Sequence, residues 1–292
     1  MLPLTKSKEG VFFMLLSEAF DLYRDDYIRF KNQSKRTEEI HETCKRLILL
    51  SMPNKKIEQL TLSDIRGWRA MIEKGRSANS VRVYVIRLRA VIGYLNILGV
   101  KCLDARLIPV PKREATVPVY LTEAEVDAMI ACAYNLRNAF VISLLYSSGI
   151  RLSELISLNR GQIVDRRFTV IGKGRKPRLC FIDERTERLM SMYLSSRQDH
   201  HDALIVSFEN KSRMTATNIQ LLVRNSAARA GITKKVTPHT LRHSFATNFL
   251  RNNGNMRYLS AMLGHASLDT TMMYAHVVDN DLQSQYEKYH TI

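Results

Sequence analysis

The stretch TPHTLRHSFAT, residues 237–247, opens as a helix start and then sets three cation-forming side chains on one turn. Thr237 is a natural N-cap, and Pro238 suits the first helical position because its missing N–H has no intrahelical partner there. His239, Arg242 and His243 follow at i, i+3 and i+4, so their side chains share a face. His239 and His243 also have the spacing of a zinc-binding helix, but the stretch reads H-T-L-R-H and lacks the glutamate of H-E-x-x-H. A guanidinium between the two rings opposes a divalent cation, so no metal is expected here. The turn is suited to holding an anion.

The whole chain leans the same way. Its 292 residues carry 44 Lys and Arg against 28 Asp and Glu, a formal net charge of +16. The isoelectric point near 9.8 points to a polyanionic partner, with nucleic acid ahead of an anionic membrane surface. No run of about 18 apolar residues occurs, so a membrane partner is not expected. The N-terminal MLPLTKSKEGVFFMLLSEAF has only a short apolar patch and no small-residue cleavage site, so it does not read as a signal peptide. Cys44, Cys102, Cys132 and Cys180 are scattered without a C-x-x-C pair and read as reduced core thiols of a cytoplasmic protein.

An apolar content of 45% supports packed cores, and the length suits about two domains of roughly 100–200 residues each. IPVPKREATVP, residues 108–118, concentrates Pro109, Pro111 and Pro118 and reads as a semi-rigid linker. The expected division is a helical domain over 1–108, a linker over 109–118 and a second domain over 119–292.

In the first domain, Val81, Val85, Leu88, Ile92 and Leu95 recur in steps of four and three as one helical stripe, with Ser80 as a cap. Arg82, Arg87 and Arg89 lie off that stripe, either as a solvated face or as a phosphate-tracking surface. SKRTEEIHETCKRLILL, capped by Ser34 or Thr37, and TLSDIRGWRAMIEK, with a packed Trp68, complete a bundle of about four helices. In the second domain, Thr122 and Glu125 form a capping-box pattern. NAFVISLLYSSGI predicts a buried helix ended near Gly149, and RLSELISL starts the next. RRFTVIGKGRKPRLCFI changes character, with β-branched and aromatic residues flanking a Gly-Lys-Gly turn, and predicts a β-hairpin or small sheet. Helices are expected to resume at about Ala216. The fold class is therefore mainly α with a small β-hairpin.

Six polar residues stand out in this second domain. Arg151 follows a glycine at a helix start, and Lys173 sits at the hairpin tip. His239 and Arg242 share the quoted turn. His265 follows a glycine in MLGHASLDTT, and Tyr274 lies in TTMMYAH. Two arginines can grip a phosphate bidentately, histidine and lysine can relay protons, and a tyrosine phenol is a competent nucleophile. IGKGRK is not a nucleotide-binding P-loop, because the G-x-x-x-x-G-K-[ST] spacing is missing. No carboxylate cluster was evident beside the six, which disfavours metal-assisted phosphoryl transfer.

SGIRLSEL, IGKGRKPR, HTLRHSFAT and LGHASLDTTMMYAH, in that order, resemble the signature boxes of the tyrosine recombinase (phage integrase) family. The resemblance spans about residues 116–290. It extends more loosely to the first domain, which looks like the family's helical core-binding (SAM-like) domain. It implies that Arg151, Lys173, His239, Arg242, His265 and Tyr274 take the six catalytic places, with His243 a packing or hydrogen-bonding residue. By that resemblance, Tyr274 attacks a scissile phosphate of double-stranded DNA and forms a 3′-phosphotyrosyl link. Arg151 and Arg242 bind the non-bridging oxygens, Lys173 protonates the leaving 5′ oxygen, His239 assists proton transfer at the nucleophile, and His265 holds the phosphate.

The resemblance implies no cofactor and no metal, with a homo- or hetero-tetramer of recombinase subunits as the working assembly. The chain is short and shows no extra N-terminal domain for distant arm sites. This fits a simple Xer-type resolvase of chromosome or plasmid dimers, or a compact integrase of a mobile element. Two alternatives stand beside it: a type IB topoisomerase that nicks and closes DNA, and a catalytically silent DNA-binding regulator. In the tail, residues 277–292, Val278, Leu282, Tyr286 and Tyr289 recur at helical spacing and read as packing residues. Such a helix folds back on its own domain or is donated to a neighbouring protomer.

Overall fold

The computed structural model describes residues 14–31, 33–112, 118–172, 176–209 and 211–264. It divides into two compact units, Met1–Thr116 and Val117–Ile292.

The first unit is helical among its described residues. α1 (Leu16–Tyr23) runs into a π-helical turn (Arg24–Arg29) and is followed by α2 (Lys35–Ser51), α3 (Leu62–Glu73) and α4 (Ala78–Ile97). Ser34 caps α2 and Thr61 caps α3 through their side-chain oxygens. α4 starts earlier than the sequence suggested. Ser77, not Ser80, accepts the N-terminal hydrogen bond, and Ser80 supplies the N–H it accepts. The expected apolar stripe of α4 is buried, with Trp68, Phe20 and Ile48 in the same core. Ile108 and Val110 pack against this core as well.

The second unit contains α5 (Glu123–Ala131), α6 (Leu136–Ser148), α7 (Leu152–Ser157), the hairpin β1 (Arg167–Ile171) and β2 (Pro177–Phe181), α8 (Glu184–Ser195), α9 (Ala216–Arg229), α10 (Pro238–Arg251) and α11 (Met256–Leu263). β1 and β2 pair antiparallel, with Phe168 opposite Cys180 and Val170 opposite Arg178. Those four side chains form the inward face of the hairpin. The mainly helical fold with one small hairpin is thus as expected. α8 is an addition: the sequence reading resumed helix only at about Ala216. Asp183 caps α8, and Thr186, Leu189, Met190, Tyr193 and Leu194 turn one face to the core. Charged residues between those positions masked the stripe.

α6 lies at the centre, buried along most of its length. α10 packs on it and is tied to the start of the unit: the Leu121 N–H donates to Ser244 Oγ at 2.8 Å, and Asn248 Nδ2 donates to the Leu121 carbonyl at 3.3 Å. The cysteines depart in part from expectation. All four are free thiols and Cys44 and Cys180 are buried, but Cys102 is half-buried and Cys132 is exposed. Cys132 follows α5 as its C-cap.

Candidate active site

The site begins where α6 stops. Gly149 takes the left-handed conformation, φ +60°, which ends the helix. A Cβ there would lie 2.4 Å from Cδ1 of Phe245, so glycine is required by both backbone and space. The Gly149 carbonyl, freed at the helix end, accepts a hydrogen bond from Arg242 Nη1 at 2.6 Å. Two residues later Arg151 is the N-cap of α7. Its N–H donates to Glu154 Oε2 at 2.7 Å, and its Nη1 donates to Glu154 Oε1 at 3.0 Å.

α10 starts as the sequence predicts. Thr237 Oγ1 accepts from the Thr240 N–H, and Pro238 occupies the first turn. His239 is exposed and Arg242 is buried. α11 then closes the site with its C-terminal carbonyls, which have no intrahelical partners and sit at the negative end of the helix dipole. The Met262 carbonyl accepts from Arg178 Nε at 2.7 Å, the Leu263 carbonyl from Arg242 Nη2 at 2.7 Å, and the Gly264 carbonyl from Arg151 Nη2 at 3.3 Å. Three arginines from three different elements are thus held on three consecutive carbonyls. Gly264 is left-handed as well, φ +62°, and a Cβ on it would lie 2.8 Å from Cδ of Arg178.

Two members of this cluster were not singled out from the sequence. Glu154 and Arg178 form a buried bidentate ion pair, with Nη1–Oε1 at 2.7 Å and Nη2–Oε2 at 2.6 Å. Burial opposes the Glu154 charge, but Arg178 and Arg151 outweigh it and hold the carboxyl below its usual range. The signals were present in the sequence. Glu154 stands three residues after Arg151, and Arg178 is the charged residue at a core-facing position of a strand.

The pKa values of both histidines on α10 are lowered. Protein packed around His239, then the charges of Arg242 and Arg151, lower its pKa. Burial, then His239 and Arg242, pull His243 down to about 4. His243 is half-buried behind the exposed His239.

Of the six expected residues, the structure brings Arg151, His239 and Arg242 to one place. Lys173, His265 and Tyr274 lie outside the described residues, as does the tail at 277–292. At the end of the hairpin the Gly172 N–H donates to the Lys176 carbonyl at 3.0 Å. His265 is the next residue in the chain after Gly264. Among the described residues no three His, Cys, Asp or Glu side chains converge as metal ligands, and no described helix is long and apolar enough to cross a membrane.

Comparison with known proteins places these features in a wider set. The pattern of the phage integrase family matches residues 119–281. Tyrosine recombinase XerD of Oceanobacillus iheyensis is 32% identical over 248 residues, which are 80% of this chain and 83% of that protein. The crystal structure of XerA recombinase is 28% identical with a TM-score of 0.54, covering 94% of this chain and 99% of that one. The Tn1549 transposon integrase, solved in complex with transposon right end DNA, shares the fold at a TM-score of 0.79 and 18% identity, over 95% of this chain and all of that one. XerD and XerA are recombinases, and neither is a topoisomerase.

Proposed function

The chain belongs to the phage integrase family, and from that membership we propose that it is a site-specific tyrosine recombinase acting on double-stranded DNA. The observation that carries the reading is the pair Arg151 and Arg242, anchored on the adjacent Gly264 and Leu263 carbonyls at the end of α11, at the same site as the exposed His239. Guanidiniums fixed before substrate arrives need no reorganisation when charge develops on a phosphate, and each such donor contributes roughly 10²–10³ in rate.

In the proposed reaction the Tyr274 oxygen attacks the scissile phosphorus and the bond to the 5′ oxygen breaks. The phenolic proton passes to His239, whose lowered pKa favours the unprotonated ring that can accept it. Lys173 gives a proton to the leaving 5′ oxygen, and His265 hydrogen-bonds the phosphate. Arg151 and Arg242 neutralise the non-bridging oxygens. A 5′-hydroxyl from the partner strand then attacks the phosphotyrosyl ester and releases Tyr274. The ester conserves the phosphodiester energy, so the cycle needs neither ATP nor a cofactor.

The assembly in this reading is a tetramer of recombinase subunits on two duplexes, in the cytoplasm. The tail at 277–292 is donated between neighbouring protomers. A closed head-to-tail ring of this kind requires a heterologous contact whose rotation closes. The biological role is Xer-type resolution of dimers or movement of a mobile element.

The test is covalent capture. A randomised duplex pool is selected for binding to the full chain, and the selected site is rebuilt with a nick beside the cleavage position. In EDTA and without ATP, a protein–DNA adduct that survives denaturing gels and carries the DNA by its 3′ end is expected. Absence of the adduct, or attachment through the 5′ end, overturns the proposal.

A further inference from the structure

Arg178 occupies a place where an apolar side chain is the ordinary choice. The other inward positions of the hairpin hold Phe168, Val170 and Cys180. Its side chain is 7% exposed, and its Nε, Nη1 and Nη2 are all directed at protein acceptors. Replacing a buried ion pair with well-packed apolar groups is often neutral or stabilising, so fold stability alone does not account for an arginine here. Two glycines also make room for it. A Cβ on Gly264 would approach its Cδ at 2.8 Å, and one on Gly172 would approach its Nη1 at 3.2 Å.

The partners identify what the side chain does. Through Glu154, Arg178 acts on Arg151, because both guanidiniums bind the same carboxylate. Through Met262 it fixes the last turn of α11, whose next two carbonyls hold Arg242 and Arg151. Without Arg178, the buried Glu154 carboxylate is left paired with Arg151. It then draws that guanidinium into a two-point pair and cancels the charge meant for the phosphate. Resting on the recombinase reading above, we infer that Arg178 is a positioning residue for strand cleavage. It satisfies Glu154 and locks α11, which keeps Arg151 available to the scissile phosphate, and it does not itself touch DNA.

The experiment compares two versions of the selected, nicked duplex, one with the natural scissile phosphodiester and one with a methylphosphonate there. The methylphosphonate is neutral and makes less demand on Arg151. With Arg178→Met in the full chain, duplex affinity is expected to stay within about threefold, since no DNA-facing charge is lost. Adduct formation on the phosphodiester is expected to slow by about 100-fold or more, the scale of one lost oxyanion donor. On the methylphosphonate the slowing is expected to be under about tenfold. Equal slowing on both substrates means a general structural role and overturns the inference, as does an unchanged rate on the phosphodiester.

If Arg178→Met does not fold, Arg178→Lys keeps a cation beside Glu154 while losing the two-point contact and the Met262 bond. It is expected to give an intermediate defect with the same substrate dependence, and a parental rate overturns the inference. Failure of the parent chain to form an adduct with either duplex is a separate outcome. It removes the recombinase reading, and the inference falls with it.

Discussion

The missing Cβ of Gly149 leaves room for Phe245 and Leu263 beside the carbonyl that Arg242 binds. Gly149→Ala forces a left-handed alanine, at about 1 kcal/mol, and drives a methyl into the Phe245 ring, at about 1–3 kcal/mol more. A loss of roughly 2–4 kcal/mol is expected in denaturant unfolding, with cleavage reduced further because the Arg242 anchor moves. An alanine variant of parental stability contradicts this packing argument. His243 gives a pH prediction. Its folded pKa, about 4, lies below the ordinary 6.5. Between those values the unfolded chain binds more protons than the folded one, so stability rises with pH across that window. The stabilisation from a neutral His243 is fully present above about pH 6.5 and is lost as pH falls toward 4. Thermal melts between pH 7 and pH 5 are expected to show a falling midpoint. His243→Gln should reduce that slope without abolishing it, since the pKa values of His239 and His41 are also lowered. An unaltered slope in the variant removes the assignment.

At the scale of elements, the site is an assembly of helix ends: the C-terminus of α6, the N-termini of α7 and α10, and the C-terminus of α11. The β1–β2 hairpin brings Arg178. If Lys173 is the general acid, Lys173→Ala should be slow on an ordinary scissile phosphate. It should regain most of its rate when the 5′ bridging oxygen is sulfur, which leaves without a proton. Equal defects on oxygen and sulfur substrates would assign Lys173 to phosphate binding, with Arg175 and Lys176 the next candidates for the acid. Much of this was legible in local sequence. Thr237 and Pro238 announce α10, Thr122 and Glu125 announce α5, Gly149 ends α6, and the Gly-Lys-Gly turn marks the hairpin. These signals depend on residues a few positions apart. Glu154 and Arg178 do not stand out in the sequence, because their importance rests on a pair separated by 24 residues and on an acceptor carbonyl a further 84 residues along. α8 was missed because its apolar stripe is short and broken by charged neighbours. Ser77 was missed because the next serine in the same turn is an equally good cap by residue type.

At the scale of the molecule, two units each bury a core of their own, and the chain carries a net charge of +16. Phosphate contacts by that charge release counterions, so log K should fall against log salt with a slope of about −0.9 per neutralised phosphate, several units in total. A slope near zero would remove the duplex as the partner. In the proposed reaction this molecule cuts DNA by attaching it to Tyr274, one of twelve tyrosines. The most direct measurement sets Tyr274→Phe against the parent chain on the selected, nicked duplex, following binding and denaturation-resistant adduct in the same samples. The substitution removes one hydroxyl and no positive charge. Unchanged duplex binding, a covalent adduct with the parent, and none with the variant are expected. An adduct that persists in Tyr274→Phe would place the nucleophile on another residue and overturn the role of Tyr274.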